Sequence, residues 1–294
     1  MKRTREKEGR WMKVGFIGTG SMGSLLVGAF IDAGAMLPAN VAVSSRTPSK
    51  AEALTRRYPG LRLAPSNADA ARDADLLFLC VKPSDFRAVL TEIAPVLHTG
   101  QIAVSITSPV KLEQLERALP CKVAKVIPSI VNKAKAGASL AMWGTRLAPE
   151  DRNRLTELFS TISRPVEIRE DDVRAASDIS SCGPAFFAFL LGEFADAAVR
   201  HAGMERGKAE TLAAEMLLGT ARLLVEQGFS TQELQTRVSV PGGITAAALD
   251  ALRASTAEAF PSVFRVTHEK FAEDLAKVEA SLRESGDTEK GGSP

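Results

Sequence analysis

The 294-residue chain contains three cysteines and three histidines. Cys80, Cys121 and Cys182 are odd in number and widely spaced. That excludes a disulfide framework and points to a reducing compartment. No Cys/His group has the spacing of metal ligands, so no metal is expected. His98, His201 and His268 are scattered, and solvent-facing or helix-end places are expected for them rather than catalysis. An excess of one charge sign is also missing. Lys and Arg number 37 against 35 Asp and Glu, a net charge of +2, which offers no electrostatic case for a nucleic-acid partner. Long hydrophobic runs are lacking too. The basic opening Lys2-Arg3-Thr4-Arg5-Glu6-Lys7 has no apolar stretch after it long enough for a signal peptide. The apolar run 184–191 is too short to span a bilayer and is soon interrupted by Glu193 and Asp196. A cytoplasmic protein with no membrane partner is expected. Residues 1–11 and the polar stretch 283–294 read as disordered tails, with a functional start at Met12 as the alternative for the first.

What is present is an ordinary globular composition, 45% hydrophobic and 24% charged, at a length that suits two domains. The most informative segment is Lys13-Val-Gly-Phe-Ile-Gly-Thr-Gly-Ser-Met-Gly23. A short apolar strand runs into a glycine-rich turn. A helix follows with Met22, Leu25, Leu26, Ala29, Phe30 and Ala33 at helical spacing. Gly18, Gly20 and Gly23 form G-x-G-x-x-G in the strand–turn–helix context that gives the pattern weight. The first glycine allows the tight turn, the second lets the backbone approach a pyrophosphate, and the third lets helix and strand pack closely. The N–H groups at the helix start then face the phosphates.

Strand-like runs continue at 41–44, 76–80, 102–106 and 123–127, with helical stretches between them. This alternation predicts a parallel, doubly wound sheet of Rossmann type over residues 12–169. Further strands are expected at 138–143 and 166–168, with a helix at 150–161 between them. Beyond residue 170 no strand pattern appears. Helical stretches at 185–201, 208–227, 231–238, 244–252 and 255–282 predict an all-helical domain over 170–282. Glu170, Asp171 and Asp172 put negative charge where its first helix would start. Phe186, Phe187, Phe189, Leu190 and Phe194 make one helix apolar around much of its circumference, as burial against another subunit requires.

The second strand ends Val43-Ser44-Ser45-Arg46-Thr47, with no carboxylate where an NAD site keeps one for the ribose 2′-hydroxyl. Ser45, Arg46 and Thr47 instead offer hydroxyls and a guanidinium, which suit a 2′-phosphate. NADP(H) is therefore the expected cofactor. A helix-capping cluster with a solvent arginine is the structural alternative.

Asp178-Ile-Ser-Ser-Cys-Gly-Pro-Ala-Phe-Phe187, Val238-Ser-Val-Pro-Gly-Gly-Ile-Thr-Ala-Ala-Ala-Leu-Asp250 and Cys80-Val-Lys-Pro83 join the glycine turn in a recognisable set. With them the chain resembles the pyrroline-5-carboxylate reductase family over roughly residues 13–274. The resemblance implies an NADPH-dependent enzyme that reduces the cyclic imine 1-pyrroline-5-carboxylate to proline. It also implies a homodimer or larger homo-oligomer with the active site between subunits. Thr245 matches the family threonine that meets the ring nitrogen, and Gly242 and Gly243 match backbone donors to the substrate carboxylate. Cys182, Gly183 and Pro184 fall on the other substrate segment. Ser21, Met22 and Gly23 match the phosphate turn, Asn67 a contact to the adenine ribose, and Val81, Lys82 and Pro83 the loop after the fourth strand. An iminium accepts hydride readily, so orientation and a hydrogen-bond donor suffice without a histidine acid.

Departures from the family pattern fall on the substrate side. Ser-Gly-Ser-Gly-Pro stands here as Ser180-Ser-Cys-Gly-Pro184, so Ser181 replaces a glycine and is expected to strain the backbone. Val240 replaces a hydroxyl residue. Pro128-Ser-Ile-Val131 and Thr107-Ser-Pro109 replace other polar loops. Together they resemble a divergent late-competence branch of the family. A non-catalytic NADP-binding regulator is therefore the alternative function. A 3-hydroxyacid dehydrogenase is disfavoured, because its catalytic G-x-x-x-K-x-x-N pattern is absent.

Overall fold

The computed structural model describes residues 13–283. The expected tails, residues 1–11 and 283–294, lie outside the described residues except for Arg283, which is helical. Eight strands form one sheet: β1 (Val14–Ile17), β2 (Val41–Ser44), β3 (Arg62–Leu63), β4 (Leu76–Leu79), β5 (Ile102–Ser105), β6 (Lys122–Ile127), β7 (Ala138–Trp143) and β8 (Arg164–Glu167). Their order is β3-β2-β1-β4-β5-β6-β7-β8. Strand order reverses at β1, which pairs in parallel with both β2 and β4. In open α/β sheets, ligands lie at the carboxyl edge beside such a reversal.

Strands β1, β2, β4 and β5 are buried at every position, because helices cover both faces of a parallel sheet. The helices of this part are α1 (Ser21–Asp32), α2 (Pro48–Arg57), α3 (Asn67–Arg72), α4 (Phe86–Ile93), α5 (Leu112–Ala118), α6 (Pro149–Ser160) and α7 (Val173–Ser177). On one face Phe16 stacks on Phe78 at 4.5 Å, and Phe30 meets Phe159 edge-on at 5.4 Å. On the other, Leu77, Leu79, Phe86, Ile93 and Val123 form a second cluster.

The sheet is not wholly parallel as expected. β7 runs antiparallel to β6, and β8 is parallel to β7. Only residues 128–137 link β6 to β7, and a parallel crossover needs a dozen or more. Gly137, at φ 75°, helps the chain double back. β3 is a further difference, since its two exposed residues carry no strand periodicity.

Lys125 on β6 is fully buried. Its Nζ donates to Glu170 Oε1 at 2.7 Å, and the same oxygen accepts the Leu112 N–H at 2.9 Å. Burial pulls the Lys125 ammonium below its ordinary range, while Glu170 opposes the shift. Glu170 thus anchors the segment leaving the sheet as well as opening the helical stretch.

The chain divides into two compact units at Ser181/Cys182, and residues from His268 onward return to the first unit. The seam differs from the one expected at residue 170. Residues 170–181 stay with the sheet because Glu170 pairs with Lys125, and because Ser129 and Ser181 hold the π-helical turn Asp178–Cys182 onto the end of β6. Ser129 Oγ donates to Ser180 O at 2.7 Å and Ser181 Oγ to Pro128 O at 3.0 Å. The return is explained by Val278, which is buried in the first unit's core.

The second unit comprises α8 (Gly183–Ala202), α9 (Arg206–Glu226), α10 (Thr231–Val238), α11 (Ile244–Thr256) and the start of α12 (Ala259–Arg283). Gly203, at φ 66°, ends α8. Capping starts the next helices: Glu205 accepts from two backbone N–H groups of α9, and Ser230 forms a capping box with Glu233 on α10. Few apolar residues of this unit are buried. Phe189, Phe194, Leu212 and Ile244 are 65%, 64%, 59% and 93% exposed. By length and composition alone, the stretch Glu170–Ala202 is long and apolar enough to cross a membrane. It exceeds the short run noted in the sequence because successive helical segments abut there.

Candidate active site

The glycine turn sits at the strand reversal. Gly18 has φ +97°, and a Cβ there would lie 2.5 Å from Cys80 O. A Cβ on Gly23 would lie 2.1 Å from Gly18 O. Both glycines are therefore imposed by packing within the protein itself. Gly20 is different, because a Cβ on it would meet nothing within 4 Å. Its backbone borders open space, as close approach of a pyrophosphate requires. Gly20 is also the N-cap of α1, with no side-chain cap on that helix's first N–H groups.

A cleft of about 620 Å³ opens beside this turn. Of the expected cofactor residues, Gly18, Gly20, Ser45, Arg46, Thr47, Asn67, Val81 and Lys82 line it. Ser21, Met22, Gly23 and Pro83 do not. The first three form the opening turn of α1, and Pro83 begins the 3-10 turn Pro83–Asp85. Lys50, Asp85 and Glu92 also line the cleft, unforeseen from sequence. Lys50 had a local signal, three residues past Thr47 at the start of α2. Asp85 and Glu92 had none, since only the fold brings them beside Arg46 and Asn67.

Arg46 and Lys50 supply positive charge. Arg46 Nη1 lies 3.3 Å from Asp85 Oδ1, in an ion pair whose arginine is 82% exposed and free to reorient. Cys80 also borders the cleft, and burial pushes its thiol well above the ordinary range, which makes it a poor nucleophile. Among the described residues no cluster of His, Cys, Asp or Glu has the makings of a metal site.

All the expected substrate residues, Cys182, Gly183, Pro184, Gly242, Gly243 and Thr245, belong to the second unit. Gly242 has φ 74°, so it takes a backbone shape that suits glycine. Gly243 N–H donates to Val240 O at 2.9 Å and is spent within the turn. That corrects its expected role as a free donor. The unsatisfied amides of this region are instead those of the first turn of α11, residues 244–246. Thr245 is half-buried and borders an apolar hollow of about 320 Å³ with Leu224, Leu234, Val238 and Leu249. Cys182 ends the π-helical turn and precedes α8, where Gly183 is buried and Pro184 sits in the first turn.

Ser181 causes no backbone strain. Among the described residues Lys135 is the only non-glycine at positive φ, and the Ser181 hydroxyl gains a bond to Pro128 O. His268 is exposed, in keeping with the expected solvent-facing place. Its Nε2 lies 3.7 Å from Oδ2 of buried Asp178, which accepts from Arg174 Nη2 at 2.7 Å. The histidine therefore lies beside the Arg174–Asp178 ion pair at the base of the π-helical turn.

A glycine-turn cleft at a strand reversal, on a chain whose helical part leaves its apolar residues uncovered, defines a dinucleotide-dependent oxidoreductase that associates through its helices. Comparison with known proteins agrees. Residues 170–274 match the family described as pyrroline-5-carboxylate reductase dimerisation, and residues 13–109 match the one described as NADP oxidoreductase, coenzyme F420-dependent. ComE operon protein 4 of Bacillus subtilis is 41% identical over 91% of this chain and 98% of its own length. The pyrroline-5-carboxylate reductases of Methanosarcina acetivorans and Escherichia coli are 34% and 33% identical over 79% and 82% of this chain, and 86% and 89% of their own lengths. The solved structure of a pyrroline-5-carboxylate reductase from Coxiella burnetii shares the fold, with a TM-score of 0.78 at 22% identity, covering 92% of this chain and 99% of that one. The chain belongs to the pyrroline-5-carboxylate reductase family, NADP-dependent oxidoreductases that act on a C=N bond. Its helical half carries the family's dimerisation segment, so the protein forms homo-oligomers.

Proposed function

We propose that the protein reduces 1-pyrroline-5-carboxylate to proline with NADPH, in the cytoplasm, as a homodimer or larger homo-oligomer with neither nucleic acid nor membrane as a partner. The observation that carries this reading is the pairing of two features. One is a cleft that keeps Gly20 open and Arg46 and Lys50 at its rim. The other is Thr245 at the start of a helix whose first-turn amides lack helical partners.

The fit of the dinucleotide rests on this chain's own geometry. The open side of Gly20 admits the pyrophosphate, and the first amides of α1 donate to it. Ser45, Arg46, Thr47 and Lys50 surround the place of a 2′-phosphate. When bound, NADPH supplies the hydride for the imine carbon. The protein's part is positioning. The Thr245 hydroxyl meets the ring nitrogen, where it orients the ring and donates a hydrogen bond as the amine forms. The first-turn amides of α11 take the carboxylate. Cys182, Gly183 and Pro184 complete the substrate side. Thr107 Oγ1, in one of the altered loops, donates to Val81 O at 3.1 Å and ties that loop to the cofactor side.

A second reading has its own support. The relative at 41% identity is named for a competence operon, not for a reductase. Val240 and Cys182 also remove hydroxyls on the substrate side. A regulator that holds NADP without turnover is that reading. Thr245→Ala separates the two: an enzyme loses turnover, while a pure regulator keeps its cellular effect.

A further inference from the structure

The ribose end of the cleft contains two carboxylates, Asp85 and Glu92. A free carboxylate there would accept from a ribose 2′-hydroxyl and repel a 2′-phosphate. Glu92, on α4, is not free. Its Oε1 accepts the backbone N–H of Asn67 at 2.9 Å and of Ala68 at 3.1 Å. Its Oε2 accepts from Asn67 Nδ2 at 2.6 Å. The other end of the same amide is held as well, because Asn67 Oδ1 accepts from Ser44 Oγ at 2.8 Å. A carboxylate can only accept, so Nδ2 must face Glu92 and the Asn67 amide cannot turn over. One N–H and one lone pair remain on that amide, on a residue that lines the cleft.

We propose that Glu92 is a positioning residue for cofactor selection: it fixes the Asn67 amide with its spare N–H available to the phosphorylated ribose, and its own oxygens are engaged by Asn67 and Ala68 instead of being available to accept from a ribose 2′-hydroxyl. This rests on the NADP(H) reading of the cleft. Glu92 also caps α3, and the two roles can be told apart. In Glu92→Gln an amide oxygen remains for the backbone N–H groups of Asn67 and Ala68, so the cap survives. An NH2 group replaces Oε2 and would face the Asn67 NH2. The Asn67 amide then turns over, and the Ser44 hydroxyl rotates to accept from it.

The test is titration of the full-length protein, its E92Q and N67A variants and the double variant with NADPH, NADH and adenosine 2′,5′-bisphosphate, alongside thermal melts. E92Q is expected to melt like the parent protein, to bind NADPH and the bisphosphate about tenfold more weakly, and to change less than about twofold toward NADH. N67A is expected to shift the NADPH-to-NADH ratio in the same direction, and E92Q to add nothing in its background. The proposal is overturned if E92Q keeps the parent ratio of the two dissociation constants, or if the E92Q and N67A effects add. If the parent protein binds neither NADPH nor the bisphosphate, the cofactor reading itself falls, and this inference with it.

Discussion

Arg46 reaches the cleft from the end of β2 and rests on Asp85 at 3.3 Å. Its job in the proposed function is to meet a phosphate, so its removal should be felt by one cofactor only. Arg46→Ala is expected to raise the KM for NADPH about tenfold and leave that for NADH within about twofold, as loss of a charge-assisted hydrogen bond implies. Initial rates with each cofactor measure this. Cys121 permits a prediction about stability. Burial pushes its thiol up to about 11, so the folded protein keeps a proton that the unfolded chain releases near pH 8.5. Its stabilising contribution is complete below that pH and is lost as pH rises toward 11, at up to about 1.4 kcal/mol per pH unit. Thermal melts of Cys121→Ala between pH 8 and 11 should fall less steeply than those of the parent. Part of the slope should remain, because Cys80 and Tyr58 are also raised.

At the scale of elements, the joint between β6 and the segment leaving the sheet depends on Lys125 and Glu170. The two ends of that pair are not equivalent, since the lysine side chain is fully buried and the glutamate 30% exposed. Glu170→Ala strands a buried ammonium and should cost about 3–5 kcal/mol in urea denaturation. Lys125→Met leaves a carboxylate that can reach water and should cost about 1 kcal/mol or less. Equal costs would contradict this assignment. Elements also mark how far the sequence could be read. β1, β2, β4 and β5 were legible because each is a short apolar run beside a helix, and the glycine turn because its spacing is local. β3 was not, being two exposed residues long. The reversal at β7 required counting the ten residues after β6 against the length of a crossover. Asp85 and Glu92 were invisible as parts of a site because their partners lie far away along the chain. Glu92 is 25 residues from Asn67, and no periodicity encodes such a pairing. Ser181 reads as a damaging replacement for glycine until the π-helical turn shows its hydroxyl bonded to Pro128 O.

At the scale of the whole molecule, the second unit leaves Phe189, Phe194 and Leu212 each more than half exposed. Homo-oligomerisation through this dimerisation segment accounts for these exposed apolar side chains, because an interface is where large apolar residues of this kind become covered. Phe194→Asp should therefore shift the protein from oligomer to monomer in sedimentation or light scattering, while the fold of the first unit is retained by circular dichroism. The measurement that tests the central claim most directly is the oxidation of NADPH by purified protein on addition of 1-pyrroline-5-carboxylate. Turnover that yields proline, is faster with NADPH than NADH and is abolished by Thr245→Ala is the result predicted. No NADPH consumption at saturating imine, beside an active control reductase, would contradict it.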